Sequence, residues 1–137
     1  MYSVFHFDAT FHKPAHFPSG DNDWEPGVRW QTFRYLKENL GVVFKNIGSV
    51  EKPNIEIQIY SSKQLSKDFV EKFIKEIRYR YNLDLDLNEF YKRFTRDAFV
   101  GPVIQKMYGM RPGHQDSLYE YLIIGIMLLV RFAVLSK

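Results

Sequence analysis

The first 60 residues carry the alternation of apolar and polar positions that is typical of β-strands. Ile55–Tyr60 alternates strictly, so its isoleucines are predicted to face a core. Gly41–Ile47 is rich in branched residues and bounded by turn formers, and Val28–Leu36 and Tyr2–Phe7 repeat the period of two. The pattern therefore predicts four to five antiparallel strands.

Residues 13–27 interrupt this pattern with prolines, glycines and Asx residues, which predict a long loop without regular structure over much of its length. His6, His12 and His16 lie in or beside the loop and raise the question of a metal site. Pro14 separates the last two, so they do not form a helical pair, and no thiolate supports them. We predict no metal and no cofactor.

The period changes to that of a helix after residue 65. Ser66 is a suitable cap for a helix over Lys67–Tyr81. The apolar residues of this helix fall on one face, which is predicted to pack on the sheet: Phe69, Val70, Phe73, Ile74 and Ile77.

Two shorter helices are predicted next. Asp86 and Glu89 have the spacing of a capping box with an acidic cap. A further helix is predicted from about Asp97 to Tyr108, with Pro102 tolerated only near its first turns and Gly109 as a left-handed stop.

Strands followed by helices indicate an α+β fold, with an antiparallel sheet, a helix packed on it and a few helices after it. We predict a sheet-plus-helix domain over residues 1–82 and the incomplete start of a helical domain over residues 83–137.

The chain ends in an apolar helix. Ser117 and Glu120 form a capping box, and no residue from Tyr121 to Val130 is polar. Arg131 interrupts the apolar stretch before it reaches the roughly 20 residues of a membrane span. We therefore predict a buried helix or, if it is uncovered, a protein-binding surface that forms a homodimer. The predicted partner face consists of Leu122, Ile123, Ile126, Met127, Val130 and Val134.

Composition narrows the class of protein. The 137 residues are 45% hydrophobic and contain no cysteine, which excludes global disorder, disulfides, thiolate zinc sites and a Cys nucleophile. No signal peptide is recognisable, and a cytoplasmic location is expected. The net charge of +3 arises mainly in the second half, which offers either a weak phosphate-binding surface or a solvated face. The cations concerned are Lys72, Lys75, Arg78, Arg80, Lys92, Arg93 and Arg96.

Residues 81–91 (YNLDLDLNEFY) and 108–127 (YGMRPGHQDSLYEYLIIGIM) resemble the helix-hairpin-helix superfamily of DNA glycosylases. The resemblance is closest to the branch of alkyl-adenine and 8-oxoguanine glycosylases. Residues 27–30 are similar to its G-Q-x-F-R-W segment, with Val28 in place of the usual Gln. The resemblance implies an N-terminal antiparallel sheet with a helix, similar to one repeat of the TATA-binding protein, and base-excision repair of duplex DNA.

The resemblance stops near Leu129, where the family has a Gln- or Asn-bearing turn and then a catalytic hairpin with a Lys and an Asp. We therefore expect a truncated glycosylase, shortened by a frameshift or a premature stop, that has no catalytic residues and no activity alone. Asp84 and Asp86 are interpreted as a solvated residue and a helix cap rather than as catalytic carboxylates.

The candidate nucleic-acid-binding residues are Arg111, His114 and Lys106. For Arg111, the loop before a helix is suited to phosphate contact, whereas the resemblance also implies a structural role in which the side chain ties the loop to neighbouring carbonyls. A small-molecule site in the aromatic first half is a reserve hypothesis. It would use Trp24, Trp30, Phe33 and Tyr35, although aromatic residues spaced along strands belong more often to a core.

Overall fold

A computed structural model describes residues 4–12, 20–112, 122–123, 125–127 and 129. One antiparallel sheet contains four strands in chain order, β1 to β4. The strands are β1 Asn22–Glu25, β2 Val28–Tyr35, β3 Glu38–Asn46 and β4 Ile55–Tyr60. The helices are α1 Phe7–Phe11, α2 Lys67–Arg80, α3 Asn88–Phe94 and α4 Gly101–Lys106. The predicted α+β class and the antiparallel sheet are confirmed.

The core lies between one face of the sheet and α2. Phe33 of β2 meets Phe73 of α2 edge to face, with the ring centroids 5.6 Å apart. Tyr35 packs against Phe69 and Phe73 at 5.5 and 5.3 Å. The other fully buried side chains of the core include Phe11, Leu40, Val42, Phe44, Ile77 and Tyr81. The predicted apolar face of the long helix is therefore the face that covers the sheet.

The N-terminal segment differs from the prediction. The period-two pattern predicts a strand over Tyr2–Phe7, but residues 4–6 have no regular structure and Phe7–Phe11 is a helix. His6 begins this helix, and its Nδ1 accepts a hydrogen bond from the Ala9 N–H at 3.2 Å. Phe7 and Phe11 are one helical turn apart and lie in contact within the core, with their ring centroids 4.6 Å apart. Packing of these rings on the core overrides the short period-two pattern.

Strand β1 is a second difference, because it lies within residues 13–27, whose prolines, glycines and Asx residues predict a largely irregular loop. It pairs with β2 from Asn22 opposite Gln31 to Glu25 opposite Val28. Pro26 and Gly27 make the connecting turn, and Gly27 has a φ of 82°, which favours glycine. The sequence of β1 is mostly polar and shows no strand pattern, so the strand forms because its backbone pairs with β2.

The helix signals are confirmed in part. The Ser66 side chain accepts from the Phe69 N–H at 3.2 Å, as predicted for the cap of α2. Leu87, rather than the predicted Asp86, is the cap residue of α3, and Asp86 instead accepts from the Asn88 N–H at 2.9 Å. Gly109 has the predicted left-handed conformation, with a φ of 84°.

The helix predicted over Asp97–Tyr108 is shorter than expected, because α4 covers only Gly101–Lys106. Pro102 lies in its first turn, as predicted. Leu122 and Ile123, residues 125–127 and Leu129 are helical, whereas the predicted start at Ser117 lies outside the described residues. Within the described ranges, no helix combines the length and apolarity that crossing a membrane requires.

Candidate functional site

Arg111 joins three separate segments of the chain. Its side chain is buried, with 2% of the residue surface exposed. Nη1 donates to the carbonyl of Asn82 at 3.0 Å and also to that of Leu85, and Nη2 donates to the carbonyl of Val4 at 2.9 Å. The planar guanidinium presents several donors in fixed directions, which suits it to holding several carbonyls at once.

The backbone around Arg111 is fastened to the N-terminal segment as well. The Arg111 N–H donates to Thr10 Oγ1 at 3.1 Å, and the His6 N–H donates to the Gly109 carbonyl at 2.8 Å. A Cβ on Gly109 would lie 2.8 Å from the His6 nitrogen, so only glycine permits this approach. The Tyr91 hydroxyl accepts from the Gly109 N–H at 2.8 Å, which attaches α3 to the same point.

Burial lowers the pKa of Arg111, while Tyr91, Asp84 and Asp86 act to raise it. The guanidinium carbon also lies 5.9 Å from the centroid of the Phe5 ring, in cation–π geometry. The charge of Arg111 is therefore held by carbonyl dipoles and an aromatic face. We call Arg111 and its carbonyl partners Val4, Asn82 and Leu85 the Arg111 clasp.

A second polar network lies inside the core, at positions for which the sequence predicts no role. Arg29 Nε and the Tyr81 hydroxyl both donate to Gln31 Oε1, at 3.1 and 2.6 Å. Arg29 Nη1 also donates to the carbonyl of Phe11 at 2.6 Å. The signal for this network was the period of β2, because Arg29 and Gln31 occupy the same inward-facing positions as Phe33 and Tyr35.

The helical half exposes much apolar surface. The exposed fraction of the described large apolar residues in the C-terminal helix ranges from 44% for Ile123 to 71% for Leu129, and Phe99 before α4 is 89% exposed. Surfaces of this kind mark interfaces when they are contiguous and large. Other exposed apolar residues in this half include Phe90, Phe94, Val103, Met107, Leu122, Ile126 and Met127.

Comparison with known protein families gives one match, which covers more than half of the chain. Residues 29–122 match the family described as 8-oxoguanine DNA glycosylase, N-terminal domain. The chain belongs to this family. Comparisons with curated proteins and with solved structures gave no match. The resemblance to DNA glycosylases is therefore confirmed, and the match includes all but the first residue of β2, then β3, β4, α2 to α4 and Arg111.

The three candidate DNA-binding residues of this glycosylase N-terminal domain are placed differently. The Arg111 guanidinium is directed at carbonyls of its own chain, which is the structural alternative that the sequence left open. Lys106 is exposed in the last turn of α4. His114 lies outside the described residues. Contact of these residues with DNA stays a prediction.

Many of the basic side chains in the glycosylase domain form ion pairs. Lys72 pairs with Asp68 at 2.8 Å, Arg80 with Glu76 at 2.8 Å, and Arg78 with Asp84. Asp84 lies in the turn after α2 and engages Arg78 as an ion-pair partner. In the described part of the chain, no ion pair neutralises Lys75, Arg93 or Arg96.

The aromatic reserve site of the glycosylase domain is not assembled. Phe33 and Tyr35 belong to the core, and Trp24 packs against His12 with the ring centroids 4.3 Å apart and the ring planes tilted by 47°. Trp30 lies on the opposite face of the sheet, because β2 alternates.

The histidines considered for a metal site are not brought together. His6 caps α1, and His16 lies outside the described residues. No group of three metal-ligating side chains occurs among those that are described.

Proposed function

We propose that the chain supplies the non-catalytic N-terminal portion of a base-excision DNA glycosylase and has no glycosylase activity alone. The observation that carries this proposal is the family match over residues 29–122. The Arg111 clasp supports it, because it fixes the start of the helical part against the sheet part. The proposed role is to hold these two parts in a fixed orientation.

Three carboxylates of the helical half also support a non-catalytic role. A glycosylase must enclose an extruded base and place an acid, a base or a nucleophile beside it. Asp84 is engaged by Arg78, and Asp86 and Asp97 accept hydrogen bonds from nearby backbone N–H groups. These carboxylates therefore have structural partners. Any contact with DNA is proposed to come from exposed cations such as Lys106 and Lys75.

An excision assay tests this proposal. The purified chain is incubated with duplexes that contain 8-oxoguanine or an alkylated adenine, and the release of free base is measured. We expect no release above the rate of the duplex alone. The non-catalytic role would be contradicted if base-release activity copurified with the folded chain and increased with the chain's concentration.

Binding of undamaged duplex is measured separately. We expect a weak affinity that falls as salt rises, because the contact is to phosphates. Lys106→Glu and Lys75→Glu should weaken it further, whereas Lys37→Glu, in the hairpin turn between β2 and β3, is the matched control for charge reversal. An affinity that does not change with salt would argue against phosphate contact.

A second candidate function is self-assembly through the C-terminal helix. The exposure of Leu122, Ile123, Ile126, Met127 and Leu129 favours it, since a homodimer would remove these side chains from water. Val130 and Val134 of the predicted partner face lie outside the described residues.

Sedimentation equilibrium over a range of protein concentrations distinguishes this function from DNA binding. We expect a dimer that forms without DNA and that Ile126→Asp disrupts. Ile47→Asp is the matched control, because Ile47 is 56% exposed but lies after β3. A wild-type chain that remains monomeric at every concentration would exclude self-assembly.

A further inference from the structure

An open cleft lies on the face of the sheet opposite α2. Its volume is about 580 Å³, and all four strands or their ends contribute to it. The residues that determine its shape and charge are Asp21, Asp23, Trp30, Gly41, Val43 and Tyr60. Among the described elements, none lies over this face, since α2 packs on the other side of the sheet.

Gly41 opens the cleft. It lies within β3, opposite Thr32 of β2 and Tyr60 of β4. A Cβ at this position would meet the Tyr60 Cβ at 3.6 Å, which is an ordinary contact, and the φ of Gly41 is not positive. The fold therefore tolerates a side chain here, although glycine in a strand costs stability. Glycine in a strand often marks a close approach by a ligand or another backbone.

Trp30 and Tyr60 give the cleft an aromatic surface. Trp30 faces outward on β2, opposite Val43, and 38% of its surface is exposed. Tyr60 is 59% exposed on β4. Exposed tryptophan is a common anchor of protein interfaces, because it contributes a large contact area at low cost in side-chain entropy.

The charge of the cleft selects its partner. Asp21 and Asp23 are its charged lining residues, and neither lysine nor arginine contributes to the described lining. Asp23 lies directly opposite Trp30 in the strand register. This lining repels phosphates and attracts cations, and the tryptophan ring adds cation–π attraction for a lysine or arginine side chain.

We propose that the cleft is a docking site for a basic peptide segment of a partner protein, with a lysine or arginine side chain lying over Trp30 beside Asp23. The cleft spans four strands, or about 14 Å at ~4.8 Å per strand pair, which corresponds to roughly four extended residues. This site takes a partner opposite in charge to DNA, so it does not depend on the proposed glycosylase role.

Tryptophan fluorescence of the full chain tests the proposal. The probe is the blocked peptide acetyl-Ala-Arg-Ala-Arg-Ala-amide, and the matched peptides carry Gln or Glu in place of both Arg. We expect a saturable change with the Arg peptide that weakens as salt rises, and an affinity at least about tenfold lower for the Glu peptide. Trp24→Phe should keep the signal, which assigns it to Trp30.

Variants of the cleft give the sharper test. Gly41→Val fills the cleft with a residue that suits a strand, so the chain should stay folded while affinity falls about tenfold or more. Asp23→Asn should weaken binding and reduce its salt dependence. Glu71→Gln is the matched control, since it removes one exposed acid from α2, on the other side of the sheet, and should leave affinity unchanged.

Three outcomes would overturn the proposal. The first is the absence of saturable binding of the Arg peptide up to about 10 mM. The second is binding that Gly41→Val and Asp23→Asn leave unchanged. The third is a stronger response of Trp30 to duplex DNA than to the Arg peptide, which would assign the cleft to nucleic acid.

Discussion

Arg111 and Asn82 each donate a hydrogen bond to the other's segment, although they lie 29 residues apart. Arg111 Nη1 donates to the Asn82 carbonyl at 3.0 Å, and the Asn82 side-chain amide donates to the carbonyl of Pro112. Asn82 adopts a left-handed conformation with a φ of 48°, which turns the chain after α2. This reciprocal contact joins the end of the sheet-covering helix to the loop that follows α4.

Replacing Arg111 should destabilise the fold. Lysine keeps the charge but loses the planar fork, so carbonyls of the clasp lose their donors, and we expect the free energy of unfolding to fall by about 2–4 kcal/mol. Urea denaturation measures this change. Arg78→Lys is the matched control, because its exposed ion pair with Asp84 should be worth less than about 1 kcal/mol. Equal losses for the two variants would argue against the clasp.

Substitutions of Asn82 should distinguish the backbone strain at its positive φ from the contribution of its side-chain hydrogen bond. Asn82→Gly removes the bond to Pro112 but suits the positive φ, whereas Asn82→Ala removes the bond and leaves the strain. We expect the alanine variant to be less stable than the glycine variant by about 1 kcal/mol. The comparison uses the free energy of unfolding in urea. Equal stability of the two would show that the backbone relaxes at this position.

The turn between β2 and β3 should accept a stabilising change. Leu36 and Lys37 both have positive φ values, of 46° and 70°, in a two-residue hairpin loop where Asn-Gly is favoured. Replacing the pair by Asn-Gly should raise the free energy of unfolding by about 1 kcal/mol. Thermal and urea denaturation measure the gain. Lys37→Ala removes the charge but keeps the strain, so it should give no such gain.

Asp97 should make stability depend on pH. Its carboxylate accepts from the backbone N–H groups of Val100 and Phe99, and these bonds lower its pKa below the ordinary value of 3.8. Because the folded pKa lies below the unfolded one, this contribution is fully present above the unfolded pKa. It is lost as the pH falls through the folded value.

Urea denaturation at a series of pH values from neutral to about pH 3 measures this dependence. Asp97→Asn should lower stability at neutral pH and reduce the further loss on acidification. A variant with the same pH slope as the wild type would show that other groups carry the acid dependence.

The local patterns of the sequence were sufficient for several elements. β4 has the predicted bounds, and β2 and α2 each end one residue before them. The Ser66 cap and the Gly109 stop were also correct. These features are determined by interactions between residues a few positions apart, so a short stretch of sequence is enough to predict them. The order of motifs along the chain was enough to identify the glycosylase family.

Contacts between distant segments decided the rest. β1 is stabilised as a strand by its pairing with β2, and α1 forms where Phe7 and Phe11 pack in the core. Arg111 is a clasp because Val4 and Asn82, 107 and 29 residues away, bring their carbonyls to it.

The sequence by itself determined the fold class, the long helix and the family, because periodicity and caps act locally. Only the tertiary structure decided that Trp30 faces a cleft while Phe33, three residues later on the same strand, is buried. Both are aromatic residues in one strand, and the side on which α2 packs determines which of them water reaches.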